Sequence, residues 1–496
     1  MSQVKLRDIY MKQNSGILSY GAYVPRRRLQ KSCIYDNNKW FAPGMRGLAK
    51  GEKAISGWDE DPITMAVEAG RNCLEGIDRD TVSVVSLAST TMPFADRSNA
   101  GVAKEAMNLS DSIVATDRSG SLRAGTSALL DALHDDRTQL CLAADRRKAK
   151  IASAEEMSYG DAACALLVGS GDVIARYLGG KSTSIDFVDH FRETGADYDY
   201  AWEPRFTRDE GYQKILGQTI KDALGELHVD GADIAHAVIA APVRGVPQKL
   251  ASAAGISADA AVDTLSANIG NTGVTHPSLM LAHALQQAKP GEKILLASFG
   301  QGADVMVFET TEHLAAVNTR QTLVTAPGIA DTNYLRYLFH RGQLDIDKGM
   351  RAELDEKQPG TSLARDRKTV LGLIGGKCTE TGAIQFPKTD ISVDQSTRAT
   401  GTQEDYPFAD RLAKVVSFTA DRLAYSPDPP TVYGMIDFEG GGRMIVEFAD
   451  IEEDEVEVDV SMRMVFRVKA FDELRGFRKY FWKATPIRSV AESGEQ

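Results

Sequence analysis

The sequence predicts an α/β protein, built as two layered halves around central β-sheet structure and followed by a small all-β domain. Three observations predict it. The first three hundred residues alternate strand-like and helix-like segments. The alternation restarts near residue 211 with the same element order. After residue 410 the text turns to alternating apolar residues and Gly-rich turns, at the 8–12-residue spacing of a small barrel or sandwich.

In order, GILSYGAYVP (16–25) reads as a strand ending in a Pro-marked loop. DPITMAVEAGRNCLEGI (61–77) carries apolar residues at helical spacing, and Asp61-Pro62 is a good helix start. VSVVSLAST (82–90) is a short buried strand, and SLRAGTSALLDALH (121–134) a helix rich in small residues. QLCLAAD (139–145) and ACALLVGSG (163–171) are apolar strands. In the second half, GYQKILGQTIKDALGELHV (211–229) is an amphipathic helix and HAVIAAP (236–242) a strand. HPSLMLAHALQQA (276–288) is a helix, and KILLASFGQGADVMVFE (293–309) a strand, a Gly turn and a second strand. Residue-level repetition is not visible, so the duplication rests on element order. Residues 320–360 read as polar and helical, and QPGTSLARDRKTV (358–370) as a linker. KVVSFTADRLAY, TVYGMIDFEGGGRMIVEFAD and EVEVDVSMRMVFRVKAF supply the β-domain, with IEEDEVEVD (451–459) as a solvated turn and strand start.

With 43% hydrophobic and 25% charged residues, the chain has the balance of a globular protein, which excludes wholesale disorder. A net charge of −12 makes general nucleic-acid or anionic-membrane binding a poor fit. The five cysteines (Cys33, Cys73, Cys141, Cys164 and Cys378) are odd in number and widely spaced, with no C-x-x-C. That argues against a disulfide framework and a four-thiolate zinc site. MSQVKLRDIYMKQNSG lacks an apolar run of signal-peptide length, and no window approaches eighteen uninterrupted apolar residues. The expected location is cytoplasmic, with no membrane partner.

The segments GILSYGAYVPRRRL, KAISGWDEDPITMAVEAGRNCLEGI, ANIGNTGVTHPSLMLAHAL and KPGEKILLASFGQGAD resemble 3-hydroxy-3-methylglutaryl-CoA synthases, especially the archaeal type. The resemblance covers roughly residues 14–310. It implies the thiolase superfamily and its five-layered αβαβα duplication. YLRYLFHRGQLDI, GGKCTETGAIQFP and the β-rich segment 411–470 resemble the zinc-ribbon and OB-fold accessory module that accompanies acyl-CoA-handling thiolase proteins. YFWKATP (480–486) would close its barrel. The organisation expected is a thiolase-fold first half (1–170) and second half (171–315), a helical linker (316–365), a ribbon hairpin (366–400) and an OB-fold domain (401–490).

Within the resemblance the catalytic positions differ. The synthase cysteine, in a motif like A-C-x-A/G-G-T, falls on Leu122 of Ser121-Leu122-Arg123-Ala124-Gly125-Thr126. The glutamate falls on Thr90 of Ser89-Thr90-Thr91-Met92-Pro93-Phe94, and the histidine on Ala240 of Ile239-Ala240-Ala241-Pro242. The Asn271 motif, Gly270-Asn271-Thr272-Gly273, stands. Leucine cannot form a thioester and alanine cannot move a proton, so the ordinary synthase mechanism is not expected. The ribbon ligands fall on Cys378, Thr381, Ser392 and Gln395, so no structural metal is expected.

Asn271 reads either as an oxyanion donor or as the stabiliser of a tight Gly turn. His190, in SIDFVDHFR (184–192), reads as a general base or, like Asp189, as a residue paired with local backbone. His276, at a helix start, can point into the space left at Ala240 or be a plain helix-start residue. Tyr159 is a candidate proton donor to an enolate, or a packed aromatic. Ser121 is a nucleophile only if a base activates it. Arg26, Arg27, Arg28 and Arg244 are the cations expected near a CoA mouth, or else solvated surface. Backbone N–H groups around Ser121–Leu122 and Gly300–Gly302 are further enolate stabilisers.

The expected function is C–C bond making or cleavage next to a carbonyl, on a CoA thioester or β-keto acid. It would be retro-Claisen, retro-aldol or decarboxylative, without a cysteinyl acyl intermediate. The alternatives are a non-catalytic acyl-CoA-binding scaffold that recruits a partner thiolase or dehydrogenase, and a synthase-like acyltransferase with an unrecognised nucleophile. Coenzyme A or acyl-CoA is the expected ligand, and a homodimer through the thiolase-type domain the expected assembly.

Overall fold

The structure, a computed structural model, describes residues 15–317, 324 and 327–488. Most of the N-terminal stretch read for signal character lies outside the described residues, as do the opening of the 320–360 segment and the chain beyond 488. Two compact units emerge. One contains the chain up to Ser56, Glu68–Gly101 and Ser110–Tyr337; the other contains Gly57–Val67, Val102–Leu109 and the chain from Leu338 onward.

The first unit is built on a nine-stranded sheet. Its strands are β1 (Ser15–Tyr23), β2 (Val84–Ala88), β3 (Val114–Arg118), β4 (Gln139–Asp145), β5 (Ala162–Ser170), β6 (Ala175–Ser184), β7 (Ile234–Ala240), β8 (Lys293–Phe299) and β9 (Gly302–Thr310). The order β7-β8-β9-β6-β1-β5-β4-β2-β3 contains the duplication. Outward from the centre, the first half runs β1, β5, β4, β2, with β1/β5 and β5/β4 antiparallel and β4/β2 parallel. The second half repeats this as β6, β9, β8, β7 with the same senses. Even β3 has an echo, a single parallel bridge from Ala237 to Ala261. The halves join where β1 pairs with β6.

Two inner helices pack on this sheet, α1 (Ala124–His134) and α2 (His276–Gln287). Every residue of α2 from His276 to Leu285 is buried, the pattern of a helix enclosed on all sides. Leu129, Leu133, Cys164, Val168, Leu279, Leu281, Leu296 and Phe308 belong to one core that includes both halves. A second core fills the opposite face of β7–β9, where Leu216, Ile220 and Leu224 meet Leu295, Val305 and Val307. Helix on sheet on helix, present in both halves, is the thiolase-type layering the sequence leads one to expect.

Local differences have physical causes. The 121–134 helix begins only at Ala124; Ser121–Arg123 form a turn in which Ser121 Oγ accepts the Arg123 N–H at 3.2 Å. The 211–229 helix is π-helical over Thr207–Leu216 before α geometry takes over at Gly217–Leu227. The 358–370 stretch is not an open linker; it contains helices Gly360–Arg365 and Arg367–Gly372.

The second unit carries an all-β barrel of β10 (Leu412–Asp421), β11 (Thr431–Phe438), β12 (Arg443–Glu447), β13 (Ser461–Asp472) and β14 (Phe477–Pro486). Its order is β12-β11-β10-β13-β14, and a bridge from Phe448 to Ala484 returns the last strand to the end of the first. In β11, Val432, Gly434, Ile436 and Phe438 point inward in strict alternation. A three-stranded hairpin sheet (Ile374–Cys378, Ile384–Gln385, Gln403–Pro407) stands where the ribbon is expected. Cys378 is buried there, its sulfur 3.2 Å from Thr402 Oγ1. Among the described residues no group of three His, Cys, Asp or Glu is placed to hold a metal ion, and no helix is long and apolar enough to cross a membrane.

Candidate functional site

The site forms in the first unit, where the ends of β2 and β4, the turn before α1 and the loop before α2 meet. Asp145 ends β4 fully buried. It accepts hydrogen bonds from Ser89 Oγ (3.0 Å), Thr90 N (2.8 Å), Thr90 Oγ1 (3.1 Å), Thr91 Oγ1 (3.0 Å) and Val274 N (2.9 Å). One carboxylate therefore joins the segment after β2 to the loop that carries Asn271. Gly273 sits in that loop at φ +64°, and a Cβ there would lie 2.3 Å from Asp145 Oδ2. Only glycine fits.

Asn271 folds back on its own turn: its Oδ1 accepts the Gly273 N–H at 3.0 Å. Its backbone is fixed as well, with N donating to Ser158 O (2.7 Å) and O accepting from Gly160 N (3.1 Å) and an Arg147 guanidinium nitrogen (2.9 Å). The turn-stabilising reading thus holds for the oxygen, while the amide nitrogen stays unspent. The two expectations for Asn271 are compatible.

Leu122, Thr90 and Ala240, the positions at which the resemblance leads one to expect catalytic residues, are placed as follows. Leu122 is half-buried and packs against Ala88, Ala124, Ala143 and Val274. Thr90 gives its hydroxyl to Asp145. Ala240 is buried at the end of β7. Arg123, next to Leu122, donates Nε to Gly300 O at 2.9 Å and pairs at 2.8 Å with fully buried Asp304. This clamp holds the turn before α1 to the β8–β9 turn. The Gly300 N–H, expected as an enolate donor, is instead spent on Gly302 O at 3.0 Å. The tight β8–β9 reversal requires that bond, which leaves the Leu122 N–H as the unspent backbone donor of the pair.

His276 opens α2, 3% exposed, with Nδ1 3.3 Å from Thr272 Oγ1. Its Nε2 is buried without a well-formed hydrogen bond. Burial, reinforced by the Arg147 charge, lowers its pKa to about 4, against a weak upward pull from the Thr264 carbonyl. His276 is therefore a neutral imidazole near pH 7 and stays neutral well below it. The native state binds fewer protons than the unfolded state between about pH 4 and 6.5, so stability falls as pH drops through that window. His276→Gln is expected to flatten the acid limb of a stability–pH curve by about 3 kcal/mol, read by denaturant titration at pH 4 and pH 7.

Tyr159 is buried beside the Asn271 loop, its hydroxyl donating to Asp199 Oδ2 at 3.0 Å. The Arg147 guanidinium lies 3.7 Å from its ring centroid. Burial pushes the Tyr159 hydroxyl well above the usual phenol range, so it serves as a proton donor and not as a phenolate. His190 pairs with the Asp189 side chain at 3.0 Å, where local backbone is the expected partner, and sits in a short hairpin with Tyr200–Ala201. Ser121 precedes the helix it was expected to begin, and its hydroxyl accepts from Arg123 N. Of the expected CoA cations, Arg28 is 4% exposed and donates to the Pro25 carbonyl, which removes it from any mouth. Arg27 lies 3.7 Å from Asp331, Arg26 is half-exposed and Arg244 exposed.

The residues missed from sequence are Asp145, Arg147, Arg192 and Asp199. The run Ala144-Asp145-Arg146-Arg147-Lys148 reads as a charged surface turn. Only its start at the end of an apolar strand hints that Asp145 and Arg147 turn inward.

Comparisons with known proteins agree with the geometry. Residues 224–307 match the family described as 3-oxoacyl-[acyl-carrier-protein] synthase III C terminal, and residues 408–467 match the ChsH2 C-terminal OB-fold domain. Hydroxymethylglutaryl-CoA synthase from Pyrococcus horikoshii is 30% identical over 298 residues, covering 58% of this chain and 83% of its own length. The enzyme of that name from Methanosarcina mazei is 28% identical over 351 residues, 67% of this chain and 99% of its own. The solved structure of MvaS in complex with 3-hydroxy-3-methylglutaryl coenzyme A shares the fold at TM-score 0.56 and 19% identity, over 66% of this chain and 92% of that one. With the duplicated α/β unit, the Gly-flanked Asn271 loop and the closed C-terminal barrel all in place, the chain belongs to the hydroxymethylglutaryl-CoA synthase family of the thiolase superfamily, extended by an OB-fold domain.

Proposed function

We propose that this protein acts on a CoA thioester, cleaving or making a C–C bond next to a carbonyl without a cysteinyl acyl intermediate. The packing at position 122 carries the reading. Where the family's nucleophile is expected, Leu122 lies against an apolar cluster. The remaining thiols offer no substitute in this unit: Cys73, Cys141 and Cys164 are buried, burial pushes the Cys141 thiol up to about 12, and partly exposed Cys33 is pushed up to about 11 by burial and the nearby Asp331. What remains is a set suited to stabilising an enolate: the Asn271 amide nitrogen, the Leu122 N–H, and neutral His276 and Tyr159 as proton carriers. Coenzyme A is the proposed carrier because the sequence relatives are CoA-thioester synthases and a structural neighbour was solved with a CoA thioester.

Incubation with acetyl-CoA followed by intact-mass measurement is expected to leave the chain unmodified, while a β-ketoacyl-CoA releases free product. Asn271→Ala is expected to lower kcat/KM by about 10²–10³, roughly 3–4 kcal/mol of transition-state stabilisation. A second reading, acyl transfer through an unrecognised nucleophile, is favoured by the synthase relatives. A stable acyl adduct on any residue would establish it and end the first reading. Tight thioester binding without turnover across a broad panel would instead mark a scaffold.

A further inference from the structure

Asp304 is a fully buried carboxylate in β9, between Ala303 and Val305, which are buried and apolar. A charge in that position persists only when donors fill its lone pairs. Strand pairing supplies the first of them. The β9/β6 register sets Ser182 directly across from Asp304, and Ser182 donates to Oδ1 at 2.6 Å. Arg123 donates to the same oxygen at 2.8 Å. Oδ2 accepts from Thr126 Oγ1 at 2.8 Å and Ser127 Oγ at 3.1 Å, both in the first turn of α1. A second-half strand thus holds the start of a first-half helix through one carboxylate.

Arg123 reaches in three directions at once. Besides Asp304, its Nε donates to Gly300 O at 2.9 Å and its Nη2 to Ser184 Oγ at 3.2 Å, with 11% of the side chain exposed. A lysine, with a single nitrogen, cannot make that set. These contacts bear on Leu122, the residue before it. A Cβ on Gly300 would stand 3.0 Å from Arg123 N and 3.2 Å from Leu122 N, so the β8–β9 reversal lies directly against the two peptide groups that lead into α1. The Leu122 N–H is therefore placed by this reversal and by the guanidinium that grips it. Charge acts as well. An oxyanion at the Leu122 N–H gains from the positive end of α1, whereas the Asp304 anion at that same end opposes it. The Arg123 guanidinium, in direct contact with Asp304, offsets that opposition.

We propose that Arg123 and Asp304 are positioning residues: anchored on Asp304, Arg123 fixes the Leu122 N–H where the thioester oxyanion develops and neutralises the anion beside it. The proposal rests on the CoA-thioester reading and adds to it two residues that act through Leu122 and touch no substrate. Their loss therefore shows in turnover and in the polarisation of the thioester carbonyl, while thioester affinity is retained.

Acetyl-CoA labelled with carbon-13 at the thioester carbonyl reads the polarisation by difference infrared spectroscopy on the full chain. Bound to the wild type, its stretch is expected below the value in water. Bound to Arg123→Met, it is expected to return to that value with affinity unchanged. With acetoacetyl-CoA as the cleavable substrate, Arg123→Met is expected to lower kcat by about 10²-fold and to leave KM within about twofold. Asp304→Asn in that background removes the uncompensated anion and is expected to recover kcat several-fold. Arg123→Lys keeps the charge and loses the fork, so it carries the test if Arg123→Met does not fold, with an intermediate kcat expected. A stretch and kcat that match wild type in the Arg123 variants overturn the proposal, as do affinity and turnover that fall together with the melting temperature. A double variant no faster than Arg123→Met overturns the charge role. If neither thioester binds the wild type, the CoA reading fails, and nitrogen-15 relaxation of the leucine-labelled free chain decides the positioning. A Leu122 order parameter of about 0.85 that drops below about 0.6 in Arg123→Lys supports it, and an unchanged value refutes it.

Discussion

Asp145→Ala is expected to cost about 3–5 kcal/mol of stability and to abolish turnover. The carboxylate accepts five hydrogen bonds from two separate stretches of chain, two of them from backbone N–H groups at Thr90 and Val274. Alanine leaves those donors buried and unpaired, and each unsatisfied group costs about 1–3 kcal/mol. It also opens a void beside Gly273, where the carboxylate stood. Asp145→Asn retains one acceptor oxygen and is expected to lose roughly half as much. The chemical-denaturation midpoint reads the first effect, and kcat/KM at saturating enzyme stability reads the second. A variant within about 0.5 kcal/mol of wild type would mean that Asp145 does not organise the site.

The elements were legible where periodicity and chain order carry the information. Strand–helix alternation, its restart, the Gly-flanked Asn271 loop and the alternating barrel strands all follow from local pattern, and the sheet order bears out the duplication. The site was legible only in part. Asn271 and His276 lie in a stretch that resembles the family, and Tyr159 reaches the Asn271 loop through a backbone bridge. Asp145, Arg147, Arg192 and Asp199 escaped because their partners are remote. Asp145 reaches back to Thr90 and forward to Val274, and Tyr159 to Asp199 across forty residues. A charge in a charged run looks solvated until its partners are known. The loss of the Gly300 N–H has the same origin, since a hairpin's internal hydrogen bonding follows from its turn geometry and not from its Gly content. Arg28 shows the reverse error: a basic triplet suggests surface, yet strand pairing on both sides buries its last residue.

A fragment of residues 338–496 is expected not to fold, although it contains the whole barrel. The unit that holds the barrel also takes in Gly57–Val67, more than three hundred residues earlier. Arg467, fully buried in β13, pairs with Asp450 at 2.6 Å and Glu60 at 3.4 Å. Buried Lys483 in β14 pairs with Asp59 at 3.0 Å, and the Tyr480 hydroxyl donates to Asp61 Oδ2 at 2.7 Å. The Val468 N–H donates to the Asp59 carbonyl at 2.8 Å. Without the early segment, two buried cations lose an anionic partner and a strand loses a backbone acceptor. A buried charge stripped of its partner costs about 3–5 kcal/mol, most of a domain's net stability. In the full chain, Arg467→Met is expected to cost a similar ~3–5 kcal/mol, because Glu60 and Asp450 then keep their charges without the guanidinium. Arg467→Met with Glu60→Gln is expected to recover at least ~1 kcal/mol of that loss by removing the uncompensated anion. Circular dichroism and limited proteolysis of the fragment read the first expectation, and a double-mutant cycle reads the second. A fragment that melts cooperatively near the full-length temperature would show that the barrel needs nothing from Gly57–Val67. The cycle decides separately, since additive losses would mean that Arg467 and Glu60 act through different partners.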